Sequence, residues 1–108
     1  MSLLINKNYD DKKNEWTIKL DGEIDIYTAG KLKKDLKKIL RENRENIRID
    51  GQNLEYIDST GLGVLIGALK KLKEVDRDMF LINIKPNIKK LLNITGLDKI
   101  FIIEEGKD

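Results

Sequence analysis

Apolar and polar residues alternate with period two through Trp16-Thr17-Ile18-Lys19-Leu20, which predicts a half-buried strand. Leu3-Leu4-Ile5 reads as a shorter strand paired with it, across a polar turn at Tyr9-Asp10-Asp11-Lys12-Lys13-Asn14, and Asp21-Gly22-Glu23 closes the pair. The period then changes. Ala29, Leu32, Leu36, Ile39 and Leu40 recur at i, i+3, i+7, i+10 and i+11, one face of a helix, with Thr28 or Asp25 as its cap. The opposite face carries Lys31, Lys33, Lys34, Asp35, Lys37 and Lys38, which reads as a solvated face.

Ile47-Arg48-Ile49-Asp50 predicts a third strand, followed by a loop from Gly51-Gln52-Asn53 to Asp58. Leu62, Leu65, Ile66, Leu69 and Leu72 mark a second amphipathic helix, in which Gly61, Gly63 and Gly67 lie close together. A glycine weakens a helix by about 1 kcal/mol relative to alanine, so these positions point to packing or docking. Met79 to Ile84 reads as an internal strand. Pro86 suits a first helical turn, Ile88, Leu91 and Leu92 a short third helix, and Gly96 its end. Lys99 to Ile103 is the last strand, and Glu104-Glu105-Gly106-Lys107-Asp108 is too short and too glycine-bearing for much helix.

The order is strand, strand, helix, strand, helix, strand, helix, strand. Helices of crossover length join the last three strands, so right-handed parallel crossovers and a mixed α/β sheet of four to five strands follow. One domain over residues 1–108 fits the length.

Composition narrows the chemistry. The chain has no cysteine and no histidine. That removes thiol nucleophiles, thiolate zinc sites and the usual general base. The expectation is therefore no catalytic residues, no metal and no cofactor. A formal charge of +2, with acids interleaved among the lysines, gives no basic stripe for nucleic acid. Asp10-Asp11 reads as a solvated turn, not a cation site. Nothing at Met1 to Lys7 resembles a signal peptide, and no apolar run could span a membrane, so a cytoplasmic protein is expected.

The most informative stretch is Asp58-Ser59-Thr60-Gly61, a small polar turn directly before an apolar helix. The first amides of a helix lack internal partners, and the dipole there favours negative charge. Ser59 reads either as a plain cap or as a phosphate acceptor, and Thr60 is the second candidate acceptor. A phosphate would add about −1.5 to −2 charge without unfolding the helix. A partner packed against it would have to desolvate that group, at a penalty of several kcal/mol. The glycine spacing does not fit a phosphate-binding loop, and no Gly-x-Ser-x-Gly surrounds Ser59.

Ile57-Asp58-Ser59-Thr60-Gly61-Leu62-Gly63 resembles the phosphorylation motif of bacterial anti-sigma factor antagonists, which are single STAS domains. Gly22-Glu23-Ile24-Asp25 followed by Thr28-Ala29 resembles their second motif, and Lys85-Pro86 and Thr95-Gly96-Leu97 also recur in the family. The likeness runs from about Leu3 to Glu104. It implies a STAS-like sheet and a partner switch. The unphosphorylated protein binds an anti-sigma factor that is also a serine kinase, which frees the sigma factor. The kinase phosphorylates Ser59, the pair separates, and a serine phosphatase restores the active form. Asp25 would lie on the docking surface, or cap the first helix. Asp58, Thr60, Gly61, Leu62 and Gly63 would shape the acceptor turn and the contact. The resemblance also implies no direct contact with nucleic acid or membrane. Gly51-Gln52-Asn53 departs from the family pattern and implies a looser loop before the switch. A STAS interaction module of another assembly, stressosome-like or transporter-associated, is the alternative.

Overall fold

The computed structural model describes residues 2–105, so the expectation for the tail beyond Glu105 lies outside the described residues. Strands β1 (Leu3–Asp10), β2 (Glu15–Ile24), β3 (Asn46–Ile57), β4 (Met79–Ile82) and β5 (Ile102–Glu104) form one sheet. Helices α1 (Ala29–Glu42), α2 (Ser59–Lys73) and α3 (Pro86–Thr95) connect β2 to β3, β3 to β4 and β4 to β5. The strand order is sequential, β1-β2-β3-β4-β5. β1 pairs antiparallel with β2, and the later pairs are all parallel. The predicted mixed α/β sheet and element order are therefore found.

Sequential order with parallel crossovers of one hand puts the three helices on one face of the sheet. The burial pattern agrees. Ile18 and Leu20 on β2, Ile47 and Ile49 on β3, and Met79 and Leu81 on β4 are buried beneath the helices. Their sheet neighbours Thr17, Lys19, Arg48 and Asp50 face the other way and are partly or fully exposed. Leu32, Leu36 and Ile39 of α1 and Leu65, Leu69 and Leu72 of α2 complete the core. Trp16 is buried, packs on Tyr9 with ring centroids 4.9 Å apart, and donates its indole N–H to the Asn43 carbonyl at 3.1 Å.

The strands depart from expectation in instructive ways. β1 runs on to Asp10, because an edge strand with its polar residues in solvent needs no apolar alternation. The loop predicted from Gly51 to Asp58 is strand instead. Two register shifts between β2 and β3 place an extra β3 residue after Asp50 and another after Leu54, so turn-like residues are absorbed as bulges. Gly51 packs closely there, with the tip of the Ile84 side chain, Cδ1, 2.6 Å from where a Cβ would stand. β4 stops at Ile82 because Asn83 takes a left-handed backbone, φ 58°, and donates its amide to Asp50 Oδ1 at 3.2 Å. Beyond Gly96, itself left-handed at φ 75°, the chain winds a short 3-10 turn at Leu97–Lys99, so β5 starts at Ile102 and not at Lys99.

Candidate functional site

The register pairs Ile24 at the end of β2 with Ile57 at the end of β3. The residues that follow, Asp25 and Asp58, therefore emerge side by side at the same end of the sheet. The Asp58 N–H donates to the Ile24 carbonyl at 3.1 Å and ties the two segments together. Two motifs far apart in sequence become one surface through this pairing.

The first segment is closed. Asp25 is 8% exposed. Its Oδ1 accepts from the Tyr27 and Thr28 N–H groups at 2.8 and 3.1 Å. The Thr28 hydroxyl returns the contact by accepting from the Asp25 N–H at 2.9 Å, and donates to the Glu23 carbonyl at 2.8 Å. This reciprocal arrangement has the form of a capping box. Of the two caps open to the sequence, Asp25 supplies the side-chain bonds at the entry, while Thr28 makes no side-chain cap bond to α1. Because the bonds close around them, the two intervening side chains point outward: Ile26 is 64% and Tyr27 81% exposed.

The second segment is open. Asp58 is the N-cap of α2, and its Oδ1 accepts from the Gly61 N–H at 3.0 Å. Ser59 is thus the first helical residue and not the cap. Its side chain and that of Thr60 are exposed. The amides of Ser59 and Thr60 precede the first intrahelical donor, Leu62 N–H to the Asp58 carbonyl at 2.9 Å, and so remain directed at the helix mouth.

Gly61 is buried, and a Cβ there would meet Ile24 Cγ2 at 2.5 Å and Ile57 Cγ1 at 2.8 Å. Close approach of α2 to the strand ends therefore excludes any side chain. Leu62 is buried in the core. Of the residues singled out in the sequence, Ser59, Thr60 and Gly63 are exposed, Asp58 is half-buried, and Asp25, Gly61 and Leu62 lie inside. The inner three can shape a contact but offer it little surface.

Between α1 and α2 runs a cleft of about 470 Å³ lined by Ile26, Ala29, Gly30, Lys33, Thr60, Gly63, Val64 and Gly67. A Cβ at Gly30, Gly63 or Gly67 would touch nothing, so these glycines leave the cleft open without being required by the fold. Sequence reasoning missed Ile26, Tyr27 and Gly30. The available signal was two large apolar residues between a capping pair, where turn residues are ordinarily polar. Among the described residues there is no cluster of three or more acidic, histidine or cysteine side chains able to hold a metal, and no helix is long and apolar enough to cross a membrane.

The STAS domain family model matches residues 6–107. The anti-sigma-B factor antagonist of Staphylococcus aureus (strain NCTC 8325 / PS 47) is 33% identical over 108 residues, covering 100% of this chain and 98% of that protein. The fold is shared with an anti-sigma factor antagonist from Mycobacterium paratuberculosis, at TM-score 0.82 and 24% identity over 94% of this chain and 85% of that one. It is also shared with the Bacillus cell fate determinant SpoIIAA in the phosphorylated form, at TM-score 0.74 and 18% identity over 99% and 93% of the two chains.

Proposed function

This chain belongs to the STAS domain family, and from that premise we propose that it is an anti-sigma factor antagonist, acting as a single domain, whose grip on its partner is released by phosphorylation of Ser59. The observation that carries the reading is the entry to α2. Asp58 takes the cap, Ser59 is left exposed, and the next residue, Thr60, lines an apolar cleft together with the outward Ile26.

In the unphosphorylated form the partner is an anti-sigma factor with serine kinase activity. Its apolar side chains cover Ile26, Tyr27 and the α1–α2 cleft, and its binding frees the sigma factor. Large aromatic residues such as Tyr27 supply much of the energy at interfaces of this kind. The kinase then transfers the γ-phosphoryl group of ATP to Ser59 Oγ, which loses its proton, and ADP leaves. The product carries about −1.5 to −2 charge at the start of α2. Dipole and amides favour that charge within the free protein, so the fold is kept. In the complex the same group must be stripped of water against an apolar surface, with Asp58 already adjacent, and binding is lost. A serine phosphatase removes the phosphate by hydrolysis and resets the cycle. The role is regulatory, needs no cofactor, and belongs in the cytoplasm.

The test is to incubate the protein with the anti-sigma kinase encoded in the same genome and ATP, and to locate phosphate by mass spectrometry. We expect phosphate on Ser59 and separation of the pair. An active kinase that leaves Ser59 unmodified would overturn the reading. Modification at Thr60 would move the switch by one residue.

A further inference from the structure

The α1–α2 cleft does not end at Gly67. Beyond it, Lys37, Leu40, Arg41, Arg44 and Lys71 line a second depression of about 590 Å³. Lys37 follows Lys33 by one helical turn, and Lys71 follows Gly67 in the same way, so the two depressions are consecutive stretches of one seam. From Gly30 to Arg41 the seam runs about 16 Å at helical rise.

Its chemistry changes along that length. The end near Ser59 is apolar and small, with Lys33 its only charged lining residue. The far end is cationic. Arg44 and Lys71 share one carboxylate, Glu74, at 3.3 and 3.9 Å. Among the described residues, Lys37 and Arg41 form no ion pair within 4.0 Å. Half-buried Leu40 continues the apolar floor between them. A lysine-rich helix face is ordinarily a solvated one, and Lys34 and Lys38 fit that use. Lys37, Arg41, Arg44 and Lys71 differ, because they converge from α1, the segment just after it and α2 on the end of an apolar groove.

We propose that this seam receives an amphipathic helix of the partner, with its apolar face over the glycine cleft and an acidic segment over Lys37, Arg41, Arg44 and Lys71. The proposal rests on the reading of the Ser59 region as the partner interface and specifies the partner's chemistry. Both α1 and α2 cross the sheet between parallel strands and so run in the same direction. Two such helices present a groove into which the side-chain ridge of a third can pack. The two ends have separate duties. At about 16 Å they lie further apart than the Debye length of about 8 Å at physiological salt. Phosphate at Ser59 therefore leaves the cationic end unneutralised. That end steers the encounter, and the Ser59 end decides whether the complex persists.

The experiment measures association and dissociation rates with the anti-sigma kinase of the same genome, between about 50 and 300 mM salt. The proteins are the wild type, Lys37→Glu with Arg41→Glu, and Ser59→Asp. The charge-reversed protein should associate about tenfold more slowly at low salt, with a flatter salt dependence. It should keep the wild-type melting temperature and still release the kinase on Ser59 phosphorylation. Lys37→Ala with Arg41→Ala should show a smaller change of the same sign. Wild-type rates and salt slope in the charge-reversed protein, with Ser59→Asp still abolishing binding, would overturn this proposal and leave the Ser59 switch standing. Failure of the wild type to bind the kinase would sink both. If the reversed charges instead abolish binding to anionic phospholipid vesicles or duplex RNA while kinase rates stay unchanged, the patch serves another partner and the proposal is wrong.

Discussion

Both α1 and α2 are entered through an aspartate that directly follows the last residue of a parallel strand, Ile24-Asp25 in one case and Ile57-Asp58 in the other. In each, the aspartate carboxylate accepts from the backbone N–H three residues on. There the likeness ends. At α1 the third residue is Thr28, whose hydroxyl bonds back to the Asp25 N–H and seals the turn. At α2 it is Gly61, which has no side chain to return the bond and no room for one between Ile24 and Ile57. The first entry is a brace that pushes Ile26 and Tyr27 outward; the second leaves two hydroxyl-bearing side chains exposed. The same local chemistry thus gives a sealed turn in one place and an exposed hydroxyl surface in the other, and the difference lies in one residue and the space around it.

Substituting the open entry should produce the largest functional effect. Ser59→Asp is expected to weaken kinase binding by more than about 100-fold, because the carboxylate must be desolvated at the contact. Its melting temperature should stay within about 2 °C of wild type, since negative charge suits a helix start. Calorimetric titration and thermal unfolding check the two halves, and a folded variant with unchanged affinity would break the comparison.

Disrupting the closed entry should instead register as stability. Asp25→Ala removes the carboxylate bonds to the Tyr27 and Thr28 amides, leaving Thr28 N–H only its longer bond to the residue 25 carbonyl at 3.2 Å, a loss of about 2 kcal/mol by urea unfolding. Asp58→Ala removes a single, half-buried cap bond and should destabilise by about 1 kcal/mol. If the Asp58 loss exceeded the Asp25 loss, the assignment of brace and switch would be reversed.

The smallest effect has the opposite sign. A Cβ at Gly67 meets nothing in the folded protein. Gly67→Ala should therefore stabilise α2 by about 0.5–1 kcal/mol while weakening the partner complex, because the methyl group fills the cleft floor. Greater stability with unchanged affinity would place the partner elsewhere.

Period-two and period-3.6 patterning carried the element order, the face that each helix buries and the mixed sheet, because burial of apolar side chains acts locally and repeats along the chain. The Asp58-to-Gly63 segment was legible for a similar reason: small polar residues before an apolar helix mark its mouth whatever surrounds them. Strand limits were less legible. Gly51-Gln52-Asn53 carries the residues of a turn, and only pairing with β2 and β4 turns it into a bulged strand. Nor did Asp25 announce its burial, since it depends on Thr28 folding back beneath it.

From sequence alone the chain determined its elements, their order and the small polar turn that opens α2, all of which depend on residues close to one another. Tertiary structure decided that the two aspartate entries stand side by side, that one is sealed and the other open, and that Ile26 lines one cleft with Thr60, the residue after Ser59. Those properties arise from the register of β2 against β3 and from the room left around Gly61, and long-range packing alone sets both.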